Sequence, residues 1–248
     1  MSVFRTGRGI LCLVTHGQRL AAHTDCSGKS IEDLLVRQVS EAASAGVDLV
    51  QIREPNLETR HLYRLVERCL AAAVGRPTRI LVNDRADVAL TAGAHGVHLR
   101  ADSYAADRVR AIAPSGFIVG RSVHAQDEAA AAIAGGALDY IIFGTVFASA
   151  SKAPGHRTAG LQGLGAAVAA ARPLPVLAIG GVSTRSAPAI RATGAAGLAA
   201  VGLFLPGAVD AEPALAGTVH RLRSAFDTPE RSAENERASR TPPCPTDR

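Results

Sequence analysis

Short apolar runs recur along the chain, and a helical pattern follows each of them. The runs are ILCLVTH (10–16), DLVQIR (48–53), RILVND (79–84), GVHLR (96–100), IVGRSV (118–123), YIIFGTV (140–146), PVLAIGG (175–181) and GLAAVGLF (197–204). Most are apolar at consecutive positions rather than alternate ones, as strands buried on both faces must be. Between them the spacing predicts helices, among them 31–45, 57–74, 126–134, 161–171 and 184–193, and Gly46, Gly75, Gly135 and Gly194 stand where several should stop. Eight strand-plus-helix units in succession suit a closed ring of parallel strands, a single (β/α)8 TIM barrel, better than an open doubly wound sheet. The first strand-to-helix turn also lacks the GxGxxG of a dinucleotide fold. The barrel is expected over residues 8–226.

The remaining stretch, 227–248, is rich in proline and charge without apolar periodicity, and is expected to be a disordered tail. The segment AAHTDCSGKS (21–30) is longer and more polar than a minimal strand-to-helix loop. Composition narrows the function classes. Hydrophobic residues make up 47% of the chain and aromatics 4%, with no Trp, so a large core is available but stacking platforms for single-stranded nucleic acid are not. The formal net charge of +5 comes almost wholly from arginine, Lys29 and Lys152 being the only lysines, and forms no run of like charge. This suits phosphate-bearing small molecules and gives no nucleic-acid signature. The four cysteines (12, 26, 69, 244) have no metal-ligand cadence and are expected to be free thiols. No apolar run reaches the roughly 18 residues that span a bilayer, and no signal-peptide pattern opens the chain. A cytoplasmic setting, no membrane partner and a possible even-numbered homo-oligomer are the expectations.

In a barrel of this kind, the polar residues at the carboxyl ends of the strands are the functional candidates. Gln51 and Arg53, two apart, should both point into the barrel, where an arginine must meet an anion, either a ligand's or an internal carboxylate's. Asn83 and Asp84 end the third strand; Asp84 is either the cap of the next helix or a carboxylate for Mg²⁺ beside a diphosphate. Ser122 and His124 share a side at the end of the fifth strand, and the imidazole is a candidate for proton transfer. His98, mid-strand, reads as a packed, hydrogen-bonded histidine. The stretch ASASKAPGHRTAG after the sixth strand reads as a lid carrying Ser149, Ser151 and Lys152, a solvated surface lysine being the alternative for the last. Gly180 and Gly181 before a helix opening at 182–184, and the loop at Gly202, predict a phosphate cup built from backbone amides and helix dipole.

These pieces, in this order, resemble the thiamine-phosphate synthase/TenI family: LVT, QIRE (51–54), NDRADVAL (83–90), GVHL (96–99), GRSVH (120–124), DYIIFGTVF (139–147), SASK (149–152) and AIGG (178–181). The synthase branch joins a hydroxymethylpyrimidine diphosphate to a thiazole phosphate and releases diphosphate. The resemblance implies Gln51 and Arg53 on the diphosphate, Asn83 and Asp84 at the diphosphate and Mg²⁺, and Ser122 near the pyrimidine. Ser149, Ser151 and Lys152 would close over the diphosphate, while Gly181 and the eighth-strand loop would hold the thiazole phosphate.

Three positions depart from the synthase pattern. Pro55 stands where Q-x-R-x-K has its lysine, Ser103 where an aspartate completes the Mg²⁺ site, and Gly202 where a serine binds phosphate. Arg100 or Asp102 could compensate. Losing a cation and a carboxylate together favours the TenI branch, a thiazole tautomerase with no metal or other cofactor. There His124 would move the proton, Arg53 would pair the thiazole carboxylate, and Gly180, Gly181 and Gly202 would hold the phosphate. The alternative is an active thiamine-phosphate synthase using Mg²⁺, and the third reading is a non-catalytic thiazole-phosphate-binding barrel.

Overall fold

Each of the eight apolar runs forms a strand, and the strands close on one another in chain order. The computed structural model describes residues 4, 8–24, 28–149, 155–207 and 214–227. The strands are β1 (Ile10–Val14), β2 (Leu49–Ile52), β3 (Arg79–Asn83), β4 (Gly96–Leu99), β5 (Ile118–Val123), β6 (Tyr140–Phe143), β7 (Val176–Ile179) and β8 (Gly197–Ala200), a closed parallel barrel in the order β1 to β8. The helices are α1 (Gly17–Ala22), α2 (Ile31–Ala45), α3 (Thr59–Ala72), α4 (Ala86–Thr91), α5 (Ala106–Arg110), α6 (Gln126–Ala134), α7 (Gly160–Ala170), α8 (Ala187–Ala192) and α9 (Leu215–Phe226), with a 3₁₀ turn at Gly202–Phe204. Of the expected tail, 227–248, only Asp227 is described: it ends α9 and accepts from Gly9 N at 3.0 Å, and the rest lies outside the described residues. Cys12 and Cys69 are buried free thiols, while Cys26 and Cys244 lie outside the described residues. Among the described residues no helix is long and apolar enough to cross a membrane.

Local chemistry explains the best-matched helix. α2 covers the expected 31–45, because Ser30 and Asp33 form a reciprocal capping box at its start and Gly46 adopts the left-handed conformation (φ 86°) at its end. Its buried residues Leu34, Leu35, Gln38, Val39, Ala42 and Ala43 recur every three or four positions against the sheet. The helix expected over 184–193 is shorter, Ala187–Ala192, because Ser183 and Ser186 hydrogen-bond each other's backbone and hold the intervening residues in a turn.

Two apolar clusters divide the molecule. The larger lies between sheet and helices; the smaller is made of Ile10, Cys12, Val14, Leu49, Leu81, Ile118, Tyr140, Ile142, Leu177 and Ala199, the alternate strand residues that face into the barrel. Within this interior His98 is hydrogen-bonded on both ring nitrogens, Nδ1 to the Tyr140 hydroxyl at 3.0 Å and Nε2 to Ser122 Oγ at 2.9 Å, as a packed mid-strand histidine should be. Gly120 makes room for it: a Cβ there would lie 2.2 Å from the Tyr140 ring. Burial, assisted by the nearby Arg121 charge, pushes the His98 pKa down to about 3, so the ring is neutral.

At the opposite, amino-terminal rim, Arg223 of α9 donates to the carbonyls of Gly9 and Gly46 and pairs with Asp48 at 2.5 Å, while Asp48 also accepts from Leu11 N at 2.8 Å. The last helix is thereby tied to the first two strands.

Arg223→Ala should lower stability by about 3 kcal/mol, because it leaves the Asp48 carboxylate without its cation; the shift in urea midpoint at constant slope measures it. A second expectation concerns pH. The His98 pKa is depressed in the folded state, so below the unfolded value near 6.5 the unfolded chain takes up a proton that the folded one refuses. Its contribution is therefore present above that value and is lost as pH falls toward 3. Between about pH 7.5 and about pH 5 the native protein should lose roughly 2 kcal/mol more than His98→Gln, read from denaturation curves at the two values. Equal losses would refute the assignment of a neutral ring.

Candidate functional site

The carboxyl ends of the strands carry the candidate residues on one rim, and the ring separates them into two unlike halves. On β2 to β5 the inward positions nearest the mouth are polar, Gln51, Asn83, His98 and Ser122, whereas β6 presents Ile142. Gln51 is buried and donates from Nε2 to Asn83 Oδ1 at 2.8 Å, and Ser122 is fixed by His98. On β7, β8 and β1 the corresponding positions are small or apolar, Ile179, Ala199 and Val14, and the loops above β7 and β8 are glycine turns.

Arg53 corrects one expectation. β2 ends at Ile52, so Arg53 lies past the last ladder residue, where the barrel opens to solvent, and it is exposed. Its backbone N–H donates to Thr15 Oγ1 at 2.9 Å, and among the described residues its side chain forms no ion pair, so there is no internal salt bridge and no buried charge to compensate. The neighbouring Glu54 instead straps the loop after β1, accepting from Thr15 Oγ1 at 2.7 Å and from Gly17 N. Pro55 is exposed beside it.

Asp84 is not a helix cap. The residue preceding α4 is Arg85, and no side chain caps that helix. Asp84 is the one described non-glycine residue with positive φ (61°), a conformation aspartate tolerates but which usually persists where the surroundings enforce it. Its N–H bonds the His98 carbonyl at 2.8 Å and its carbonyl accepts from Tyr104 Oη at 3.1 Å. The carboxylate takes a hydrogen bond from Ser103 Oγ on one oxygen and has Arg100 Nη1 3.8 Å from the other. Asp102 does not substitute for the missing aspartate. It is largely exposed and pairs with Arg100 at 2.5 Å, which holds its carboxyl below the usual carboxylate range.

The loop carrying Ser103 is held by Arg121, whose guanidinium donates to the carbonyls of Arg100, Ala101, Ser103 and Tyr104. Arg121 lies on the outward face of β5 between Val119 and Val123. The sequence signal was present, a charge in an otherwise apolar strand, but which carbonyls it meets depends on the neighbouring loop.

His124 follows the last residue of β5 and is exposed; its Nδ1 lies 2.5 Å from the Gly144 carbonyl. A carbonyl only accepts, so Nδ1 carries a proton. Ser149 is partly buried, whereas Ser151 and Lys152 lie outside the described residues. After β7, Gly180 (φ 95°) and Gly181 (φ 61°) turn sharply over the loop from β6: a Cβ on Gly181 would lie 2.2 Å from the Ala148 carbonyl. Phe147 N donates to the Gly180 carbonyl at 2.9 Å, clipping the two loops together. The expected helix dipole is missing from this turn, because α8 starts only at Ala187 and has six residues. An anion there would meet turn amides without a helix dipole behind them. Gly202 begins the 3₁₀ turn after β8.

The donors around Asp84 fit Mg²⁺ as a class. Among the described residues no group of three or more His, Cys, Asp or Glu could hold a metal ion, but Mg²⁺ is commonly held by one or two carboxylates with substrate phosphates and water. Asp84 offers one carboxylate, with the Ser103 hydroxyl against it.

Comparison with known proteins adds what geometry leaves open. A family model described as thiamine monophosphate synthase matches residues 22–204. A thiamine-phosphate synthase of Anaeromyxobacter dehalogenans is 40% identical over 192 residues, covering 77% of this chain and 83% of that protein. One from Deinococcus radiodurans is 38% identical over 231 residues, covering 89% and 79%. The solved thiamine phosphate pyrophosphorylase of Pyrococcus furiosus superposes with a TM-score of 0.70 at 29% identity, over 88% of this chain and 95% of that one. A 3-hexulose-6-phosphate synthase at 20% identity and a TM-score of 0.61 shares the fold alone. The barrel, its ordered motifs and these likenesses place the chain among the enzymes of thiamine biosynthesis, in the thiamine monophosphate synthase (TMP-TENI) family.

Proposed function

We propose that the protein is a thiamine-phosphate synthase. The thiazole ring nitrogen forms a bond to the exocyclic CH₂ of hydroxymethylpyrimidine diphosphate, the C–O bond to the diphosphate breaks, and its electron pair leaves with the diphosphate. The observation that carries this reading is the Asp84 carboxylate, set in a left-handed turn against Ser103 and beside the Gln51–Asn83 pair. A carboxylate with neutral oxygens at its side suits a metal–diphosphate group, for which a tautomerase has no use.

The expectation of a tautomerase, drawn from Pro55 and Ser103, gives way for two reasons. The curated relatives matched above carry the synthase name. Further, Ser103 keeps an oxygen at Asp84 where the aspartate is missing, so the replacement removes a charge without removing a donor. N-alkylation of the thiazole takes no proton from it, so the reaction asks for no base, and His124 is left as a rim residue tied to the β6 loop.

In this reading Gln51, Asn83 and Arg53 bind the diphosphate, Ser122 faces the pyrimidine with its hydroxyl oriented by His98, and Gly180, Gly181 and Gly202 receive the thiazole phosphate. Ser149, Ser151 and Lys152 belong to the loop assigned to cover the diphosphate. Bound at Asp84, Mg²⁺ would offset the charge of the departing diphosphate.

The purified protein, given both substrates, should form thiamin phosphate only when Mg²⁺ is supplied. Asp84→Asn should reduce kcat/KM by about 10²-fold or more, as expected when one preorganised charge is removed from a transition state. Aromatisation of the thiazole tautomer, lost in His124→Ala and unaccompanied by any thiamin phosphate, would instead restore the tautomerase reading.

A further inference from the structure

Gly202 has an open side, and one charged group stands over it. A Cβ built on Gly202 would find a single neighbour within 4 Å among the described residues, the Nη2 of Arg19 at 3.5 Å. Arg19 belongs to α1, which directly follows the carboxyl end of β1, and β1 is hydrogen-bonded to β8 in the ring. Its guanidinium therefore lies on the same rim as the glycine turns, between the loops above β8 and β1.

The backbone beneath it is fixed. His16 caps α1 through Nδ1, accepting from Arg19 N at 3.4 Å; Glu54 grips Gly17 N at 2.9 Å; and Leu20 is buried against the core. Arg19 is partly buried, and among the described residues its guanidinium makes neither a hydrogen bond nor an ion pair. Glu54, whose carboxylate reaches this loop from the end of β2, is taken up by Thr15 and Gly17. A guanidinium withdrawn from water in this way is best satisfied by an oxyanion able to accept two parallel hydrogen bonds.

The segments directly after the two strands, 180–184 (GGVST) and 201–207 (VGLFLPG), contain no Lys or Arg; Arg185, later in the loop from β7 to α8, is exposed, and neither segment runs directly into a long helix whose dipole could act on an anion. Within these segments only backbone amides would face a phosphate that is close to a dianion at neutral pH.

From this geometry we infer that Arg19 is a substrate-binding residue, the cation that clamps the phosphate of the thiazole substrate above Gly202. The inference rests on the synthase reading for the name of its ligand, but its test does not need turnover. Thiazole phosphate, and the same thiazole without its phosphate, would be titrated calorimetrically into the native protein, Arg19→Ala and Arg19→Lys, with melting temperatures as a check on folding. Arg19→Ala should weaken thiazole phosphate about 10- to 100-fold, the usual worth of hydrogen bonds to a charged group. The phosphate-free thiazole should bind all three proteins alike. Arg19→Lys should recover part of the loss, because it keeps a charge but not the fork, and it carries the test should Arg19→Ala prove unstable. In turnover the loss should appear in the KM for thiazole phosphate, with kcat and the KM for the pyrimidine diphosphate nearly unchanged.

Unaltered affinity in Arg19→Ala, or an equal loss for both thiazoles, overturns the clamp. Normal thiamin phosphate synthesis with an unchanged thiazole phosphate KM would sink the clamp and leave the synthase standing. Arg19-dependent binding without any synthesis would do the reverse.

Discussion

Closure of the sheet between β1 and β8 is the constraint on which everything else depends. Ile10 pairs with Gly197 across this seam, and a Cβ on Gly197 would lie 1.9 Å from the Ile10 carbonyl, so only glycine lets the last strand come close enough to bond the first. An open seam would leave two rows of unpaired N–H and C=O groups. It would also dissolve the distinction between inward and outward side chains from which both cores are built. The tie from Arg223 to Gly9, Gly46 and Asp48 reinforces the same region from the opposite rim.

Once closed, the ring gives the mouth two characters. From β2 to β5 the inward side chains near the top are polar and hydrogen-bonded, Gln51 to Asn83 and Ser122 to His98, and His98 reaches down to Tyr140 at the start of β6. Such an arrangement is rigid because each member's partner is another fixed side chain rather than water, and His98 is held neutral by burial within it. From β7 round to β1 the wall is apolar and the loops are glycine turns with Arg19 above them. For the proposed coupling of two phosphorylated substrates this division is useful, since like-charged groups repel least when they are bound on opposite sides of one mouth.

The departures at positions 103 and 202 are easier to understand in this arrangement. Positions 103 and 202 each meet a group that the fold brings in from another element. Ser103 donates to Asp84, Arg121 anchors the loop that carries it, and Arg19 overhangs Gly202.

The amino-acid sequence by itself determined the strands, their order and the rim on which the candidates gather, because apolar runs and helical spacing report local geometry directly. It also determined which faces are buried, down to His98 as a packed histidine. Tertiary structure alone decided that Arg53 is exposed, since the strand stops one residue earlier, and that the helix after β7 begins too late to lend its dipole to Gly180 and Gly181. It alone decided too that Asp84 is bound by Ser103 rather than by its own helix, and that Arg121 and Arg19 reach into neighbouring loops. The reason is physical. A periodic pattern says which way a side chain faces along its own element, whereas the distance between groups on different strands is set by the register and closure of the whole ring, which no local stretch of chain encodes.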